Sequence, residues 1–309
     1  ISDGATFTFN YGLYYQTPIY EFIYRNVSKL EDPGSAFEDA GNSGSSIGNA
    51  TMTAARSQAY ECAFNFQLGP KWGVTVGTWL KDMDQMATAK TYRSGIYEYQ
   101  VSANGDYGTA KGIDLTVMNQ GMLVSTVVQY TYSIAKANGD YDKAAFGGVY
   151  VDAPSQEYLM SFDRPHDLTV SMYTALPFGI LTSMTGFYQS GIPYTPEEMV
   201  GDKPYRDELK KNTRRSDPYK NINLSFSKYI DYKDFKVSLG LNVFNLFDIR
   251  NAFGVWPLTG KPDEPGTYYM DEVKNQTDPS ASKSGSYYDM PWRYSSPREI
   301  NFFVRFDFE

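Results

Sequence analysis

The sequence of 309 residues is acidic, with 28 lysine and arginine residues against 36 aspartate and glutamate residues and a formal net charge of -8. This balance speaks against a nucleic-acid-binding protein, which usually carries a basic face, and the single cysteine, Cys62, excludes an internal disulfide and a cysteine zinc cluster. No stretch reaches the roughly 18 consecutive apolar residues that a membrane-spanning helix requires, so a helical membrane protein is excluded.

The N-terminal region contains the first predicted strand. Residues 1–5 carry neither the charged nor the apolar region of a signal peptide, so we expect a processed chain or a fragment. In the next segment Phe7 and Phe9 fall on one face of an extended strand, and Thr8 and Asn10 fall on the other. Nine further segments share this alternation, which predicts half-buried strands. The ten predicted strands cover residues 6–15, 60–68, 72–80, 113–117, 124–134, 168–176, 180–189, 221–227, 235–243 and 300–308.

The connections between these strands alternate in length. We predict very short turns at residues 69–70, 119–121, 177–179 and 231–234. Long polar connections of roughly 20 to 50 residues begin near residues 17, 81, 135, 191 and 248, which is unusual in globular domains. Short periplasmic turns and long extracellular loops are typical of outer-membrane β-barrels, in which a strand needs only alternate apolar residues. A soluble β-sandwich would show the same alternation and remains the alternative fold.

Aromatic residues are abundant, at 16% of the chain, and several lie near the ends of the predicted strands. This placement is typical of the aromatic girdles that mark both interfaces of a membrane. The candidates for these girdles are Tyr14, Tyr15, Trp72, Tyr188, Tyr219 and Tyr229. The sequence therefore predicts an all-β, antiparallel, transmembrane outer-membrane β-barrel.

Two C-terminal segments resemble a known family. Residues 298–308 (REINFFVRFDF) resemble the closing strand of an outer-membrane barrel, although Glu309 follows the terminal aromatic residue. Residues 241–248 (LNVFNLFD) resemble the motif of the penultimate strand in TonB-dependent receptors. Residues 11–18 (YGLYYQTP) extend the resemblance toward receptors with an N-terminal carboxypeptidase-regulatory-like domain.

The resemblance implies that residues 1–309 are the C-terminal portion of the receptor barrel. They would supply the last ten or so of about 22 strands, with the plug domain and the first strands outside this sequence. The implied protein lies in the outer membrane of a Gram-negative bacterium, has no cofactor and is not an enzyme. It would import a siderophore, cobalamin, a glycan or a peptide with energy delivered by TonB, ExbB and ExbD through the plug, and a surface lipoprotein is a further implied partner.

Polar residues on the predicted inner face are candidates for contact with the plug or with the passing ligand. We expect this role for Asn10, Asn65, Gln67, Asn223, Asn242 and Arg305. In the extracellular loops, a cationic pair and two large aromatic residues are candidates for ligand contact. These loop candidates are Arg214, Arg215, Trp256 and Trp292.

The remaining polar groups leave alternative functions open. A self-closed ten-stranded barrel could act as a protease if His166, the only histidine, activated water with Asp163 or Asp167. A passive porin or a structural barrel is a further alternative. Acidic loop pairs, Asp82 with Asp84 and Asp140 with Asp142, offer oxygen ligands of the kind that Ca²⁺ prefers, but their spacing matches no complete calcium-binding loop.

Overall fold

Ten long strands form the framework of the molecule. The computed structural model describes residues 4–27, 46–94, 97–139, 156–232, 235–275 and 291–308. The strands are β1 (Ala5–Gln16), β2 (Ala55–Leu68), β3 (Trp72–Ser94), β4 (Tyr97–Gln120), β5 (Val124–Ala137), β6 (His166–Leu176), β7 (Ile180–Gln189), β8 (Tyr219–Asp231), β9 (Phe235–Phe244) and β10 (Glu299–Phe308).

Every long strand pairs with its neighbour in sequence, in antiparallel orientation, so that the sheet runs in order from β1 to β10. The register matches the alternation of the sequence across the whole sheet. Phe9 lies opposite Cys62 and Val243 lies opposite Ile300, so apolar residues meet apolar residues on one face. The other face is mostly polar or small. All ten predicted strands are confirmed, and so is the antiparallel barrel type of fold.

The turns at one end of the sheet are short, as predicted. Residues 69–71 join β2 to β3, and residues 121–123 join β4 to β5. A single 3-10 turn, Pro177–Gly179, joins β6 to β7, and Phe178 and Gly179 there adopt positive φ angles of 66° and 71°. In the predicted turn at 231–234, residues 233 and 234 lie outside the described residues. Because these turns are short, the chain reverses direction directly after the last apolar residues of each strand at this end of the sheet.

The predicted long connection near Lys81 is wrong, because β3 and β4 continue as a paired hairpin to Ser94 and Tyr97. On β3 the period-two signal is lost between Met83 and Met86, although the backbone ladder continues and β4 still alternates from Tyr97 to Tyr107. A bulge interrupts the ladder at Gln85, whose φ angle is 56°. The side chain of Asn104 donates a 2.7 Å hydrogen bond to the carbonyl oxygen of Gln85 and stabilises the bulge.

We call the part of this hairpin above Lys81 and Lys111 the protrusion. Helix α1 (Tyr20–Tyr24) packs against it, with Phe22 buried against Ala87 and Met52. A short strand, Ser46–Ile47, adds to β4 in parallel orientation. The protrusion is therefore a small packed unit and not an isolated hairpin.

The remaining elements belong to the long connections. Tyr158–Leu159 pairs with the end of β5. Pro193–Tyr194 pairs with Arg214–Arg215, and Glu197–Val200 pairs with Lys203–Arg206. The other elements are the 3-10 helices Glu208–Lys210 and Pro291–Arg293 and the nine-residue helix α2 (Thr267–Asn275). No helix among the described residues has the length and apolar character needed to cross a membrane.

The two outermost strands, β1 and β10, are not paired with each other in the described part of the chain. Each therefore presents one row of backbone N–H and C=O groups without a partner strand. The sheet is open, and this matters for function because hydrocarbon offers such groups no hydrogen-bond partners.

Candidate functional site

The six polar residues predicted to face the lumen all lie on the polar face of the sheet. Asn65 lies opposite Thr6 and Thr75, and Asn242 lies opposite Ser225 and Asn301. The register places the other predicted residues on the same face. These are Asn10, Gln67, Asn223 and Arg305. Their contact with a plug or a ligand stays a prediction.

Several of these side chains are held by neighbours on the same face. Thr75 Oγ1 donates a 2.8 Å hydrogen bond to Asn65 Oδ1, and Ser225 Oγ donates one of 2.7 Å to Asn242 Oδ1. Arg305 Nε donates to Asp307 at 2.8 Å. These hydrogen bonds, across strands for Asn65 and Asn242 and within β10 for Arg305, orient the side chains of the polar face.

A groove of about 390 Å³ opens on this face beside Asn10. Its polar lining includes Glu61 and Asp114, together with Trp79 and Lys81. Thr131 Oγ1 donates a 2.6 Å hydrogen bond to Asp114 Oδ1. Glu61 and Asp114 are not among the predicted site residues, although each lies between two apolar residues in the sequence and is therefore expected on the polar face. The groove can accept polar or cationic groups.

Of the loop candidates, Arg215 is bound within the chain. Its guanidinium forms an ion pair with Asp163, whose side chain is 1% exposed, and donates a 2.8 Å hydrogen bond to the Asp163 carbonyl oxygen. The backbone N–H of Ala135 donates a further 2.6 Å hydrogen bond to the Asp163 carboxylate. Arg214, next to it, is exposed. Sequence reasoning missed Asp163 as the partner because the two residues are 52 positions apart.

The last long connection holds the two candidate tryptophans in different settings. Trp256 is partly buried, its ring lies 5.6 Å from that of Tyr269, and Arg293 stacks over it at 4.3 Å. Burial lowers the pKa of Arg293. The indole N–H of Trp256 is buried and has no hydrogen-bond acceptor among the described residues. Trp292 is 73% exposed and is the more accessible aromatic surface.

The structure separates the groups that a water-activating histidine would need. His166 lies on the apolar face, where its Nδ1 shares a 2.8 Å hydrogen bond with the Tyr130 hydroxyl. Asp167 lies on the opposite face and accepts a 2.8 Å hydrogen bond from Gln189, and Asp163 pairs with Arg215. Asp163 and Asp167, the two acids that the protease alternative would use, are therefore both engaged with other side chains.

The acidic pairs considered for calcium are likewise engaged or outside the described residues. Asp84 pairs with Arg56, and Asp82 accepts a 3.2 Å hydrogen bond from Thr109. Asp140 and Asp142 lie outside the described residues. Within the described ranges, no three histidine, cysteine, aspartate or glutamate residues are grouped closely enough to hold a metal ion.

Comparison with known proteins gives one family match. The family model described as TonB dependent receptor-like, beta-barrel matches residues 1–246, which is most of the chain. No curated protein matches the sequence.

Solved structures with the same fold are also found. The outer membrane transporter YddB from Escherichia coli aligns with a TM-score of 0.62 and 11% identity, covering 81% of this chain and 35% of that one. The ferric-catecholate import receptor Fiu from E. coli aligns with a TM-score of 0.55 and 12% identity, covering 99% of this chain and 33% of that one. FpvA from P. aeruginosa, bound to a pyoverdine, aligns with a TM-score of 0.55 and 12% identity, covering 98% of this chain and 31% of that one. The chain spans about a third of the length of these transporters.

Proposed function

The chain belongs to the TonB-dependent receptor β-barrel family, and from this premise we propose that it forms part of the wall of an energy-coupled importer. The family and the similar structures are outer-membrane transporters and not enzymes. We infer that the chain works in the outer membrane of a Gram-negative bacterium, as the last ten strands of a barrel of about 22. Further strands and a plug domain would complete the barrel.

The observation that carries this proposal is the open, two-faced sheet. One face is apolar in its central band across all ten strands, and the other carries the polar residues and the groove beside Asn10. At the edges, β1 and β10 leave backbone groups without partner strands. In hydrocarbon each such group costs several kcal/mol, so both edges need to pair with further strands.

The size of the inner residues supports a wide barrel. A small closed barrel fills its interior with large side chains, whereas a wide one encloses a lumen. On β3 and β8 the inner face carries small residues at Gly73, Thr75, Gly77, Ser225 and Ser227. Residues of this size leave room for a plug domain in the lumen.

The proposed partners and ligand follow from the family. We expect TonB, with ExbB and ExbD, to act through the plug, and a surface lipoprotein to be an additional partner for the extracellular loops. The ligand class is a siderophore, cobalamin, a glycan or a peptide. The inner-face residues Asn10, Asn65 and Asn223 would contact the plug, and Arg214 and Trp292 offer the more exposed loop groups to the ligand.

Uptake measurements test the proposal. Cells that contain or lack the complete protein would receive labelled members of each ligand class, in backgrounds with and without TonB. We expect one class to enter only when both the protein and TonB are present. Uptake that needs the protein but not TonB would indicate a passive porin and overturn the proposal.

The mass of the native protein provides an independent test. The polypeptide purified from outer membranes should either exceed the 34.9 kDa of this sequence or carry a second, tightly bound chain. A folded, heat-modifiable species of 34.9 kDa without a partner would instead indicate a self-closed barrel.

A further inference from the structure

The apolar face carries an asymmetric set of charges. Lys111 lies opposite Leu80 and Ile134, and Lys220 lies opposite Tyr188, which places both lysines among apolar neighbours on this face. Lys136 and His166 occupy the same face at the same end of the sheet. We call Lys111, Lys136, His166 and Lys220 the rim patch. All four residues are exposed.

The rim patch lies at the level of an aromatic girdle. Lys111 shares a register row with Leu80 and Tyr60, and the ring of Tyr60 lies 5.2 Å from that of Tyr11. Tyr132 and Tyr188 neighbour His166 and Lys220. Tyrosines on the lipid-facing side mark the headgroup level of a membrane. The patch is at the end with the long connections, which is the extracellular end of such barrels.

The charge around the patch is one-sided. From β4 to β10, the register places no aspartate or glutamate of the described residues on the apolar face. The patch ends at β3, where Asp82 and Asp84 lie on this face and Asp84 is paired with Arg56. In a chain with a net charge of -8, this surface is therefore locally basic.

We propose that the rim patch binds the phosphate groups of anionic glycolipids in the outer leaflet. A lysine ammonium group is a compact charge on a flexible stem, which can reach from an apolar surface to a phosphate at headgroup level. Three lysines across five adjacent strands provide several contacts to one layer of phosphates. The inference rests on the outer-membrane orientation and is independent of the imported ligand and of TonB.

Lipid retention by the complete protein tests this proposal. The protein would be purified from outer membranes in mild detergent, and bound phosphorylated glycolipid would be measured per polypeptide by mass spectrometry. The variant K111Q/K136Q/K220Q should lose retained glycolipid, by about fivefold for each lysine removed. The control variant K71Q/K203Q/K228Q has the same net charge but leaves the rim patch intact, so it should retain its glycolipid.

Other results would overturn the assignment. Equal retention by the rim variant and the wild type would remove the lysines as the binding groups. An equal loss in the control would attribute binding to net charge and not to position. If the rim variant fails to fold, the wild type in lipid nanodiscs still decides, because it should retain phosphorylated but not dephosphorylated glycolipid. Retention of glycerophospholipid alone would contradict the glycolipid assignment.

Discussion

The ion pair with Asp163 gives Arg215 a structural role. Both partners of the ion pair lie in connections above the sheet, and the Asp163 carboxylate is almost completely buried. A buried carboxylate needs a cation and hydrogen-bond donors, and here Arg215 and the backbone of Ala135 supply them. The pair joins the connection after β5 to the connection after β7, so it holds these two connections together.

We predict that Arg215→Ala destabilises this loop structure by about 3–5 kcal/mol, because the Asp163 charge would remain buried without its partner. Limited proteolysis of the folded protein should show faster cleavage between residues 190 and 218. Arg214→Ala is the matched control, since Arg214 is exposed, and it should leave the cleavage rate unchanged. Similar rates for the two variants would contradict a structural role for the pair.

A second close contact lies inside the sheet, at Gly240. A Cβ atom on this glycine would come within 2.0 Å of the ring of Phe303, which covers it from the neighbouring strand. Gly240→Ala should therefore cost about 1–3 kcal/mol in the free energy of unfolding, since the ring must move. Gly73→Ala, whose nearest contact is 3.5 Å, is the control.

A double variant tests the cause of this effect. If the ring is responsible, Gly240→Ala should cost much less in a Phe303→Ala background, and urea unfolding would show the non-additivity. Equal costs in both backgrounds would point to the backbone of β9 instead.

At the scale of elements, the protrusion contains a buried carboxyl group that makes its folding stability depend on pH. Asp106 is 8% exposed, and one of its carboxylate oxygens has no hydrogen-bond partner in the described part of the chain. Burial raises the pKa of Asp106 above its usual 3.8, more than hydrogen bonds from Thr88 and Asn138 lower it. The folded protrusion therefore binds this proton more tightly than the unfolded chain, and the ionised carboxylate opposes folding.

We predict that Asp106→Asn stabilises the protrusion at pH 7.5 and that the difference from the wild type shrinks as the pH falls toward 3.8. The opposition to folding is complete above the raised pKa and absent below the ordinary one. Hydrogen exchange of the peptide over residues 100–112 measures the local stability. Asp82→Asn, on an exposed carboxylate, should show no such pH-dependent gain.

The same protrusion shows where sequence reasoning stopped. Alternation predicted all ten strands and the correct face of Asn65 and Asn242, because one face of the sheet is apolar and the other polar. On β3 above Lys81 the bulge at Gln85 breaks the alternation, and α1 and Ser46–Ile47 cover the hairpin through contacts that no local pattern encodes, so the sequence predicts a long loop there. The pairing of Arg215 with Asp163 likewise depends on a contact between distant loops, which no local pattern encodes.

At the scale of the whole molecule, the apolar face of the sheet is suited to lipid and the polar face is suited to water. Val128 lies between Val117 and Val170 on the apolar face, and the next residue, Gln129, lies between Thr116 and Thr169 on the polar face. β5 runs from Val124 at the turn end past Tyr132 at the girdle, so Val128 sits near the middle of the lipid-facing band.

We predict that Val128→Arg destabilises the complete protein in lipid vesicles by about 2–4 kcal/mol, because it puts a charge at the bilayer midplane. Gln129→Arg adds the same side chain one position away, toward the lumen, and should change the free energy of unfolding little. Urea unfolding of both variants provides the measurement. A larger effect at Gln129 would mean that the faces are assigned the wrong way round.

The length of the β3–β4 hairpin has a consequence for how the cell surface is seen from outside. From Lys81 to Ser94 the strand continues for about 45 Å at the usual rise per residue. In the outer-membrane orientation proposed above, a segment of this reach would extend beyond the lipid headgroups. Antibodies raised against this hairpin would then bind intact cells, so the protein could be detected without breaking the membrane.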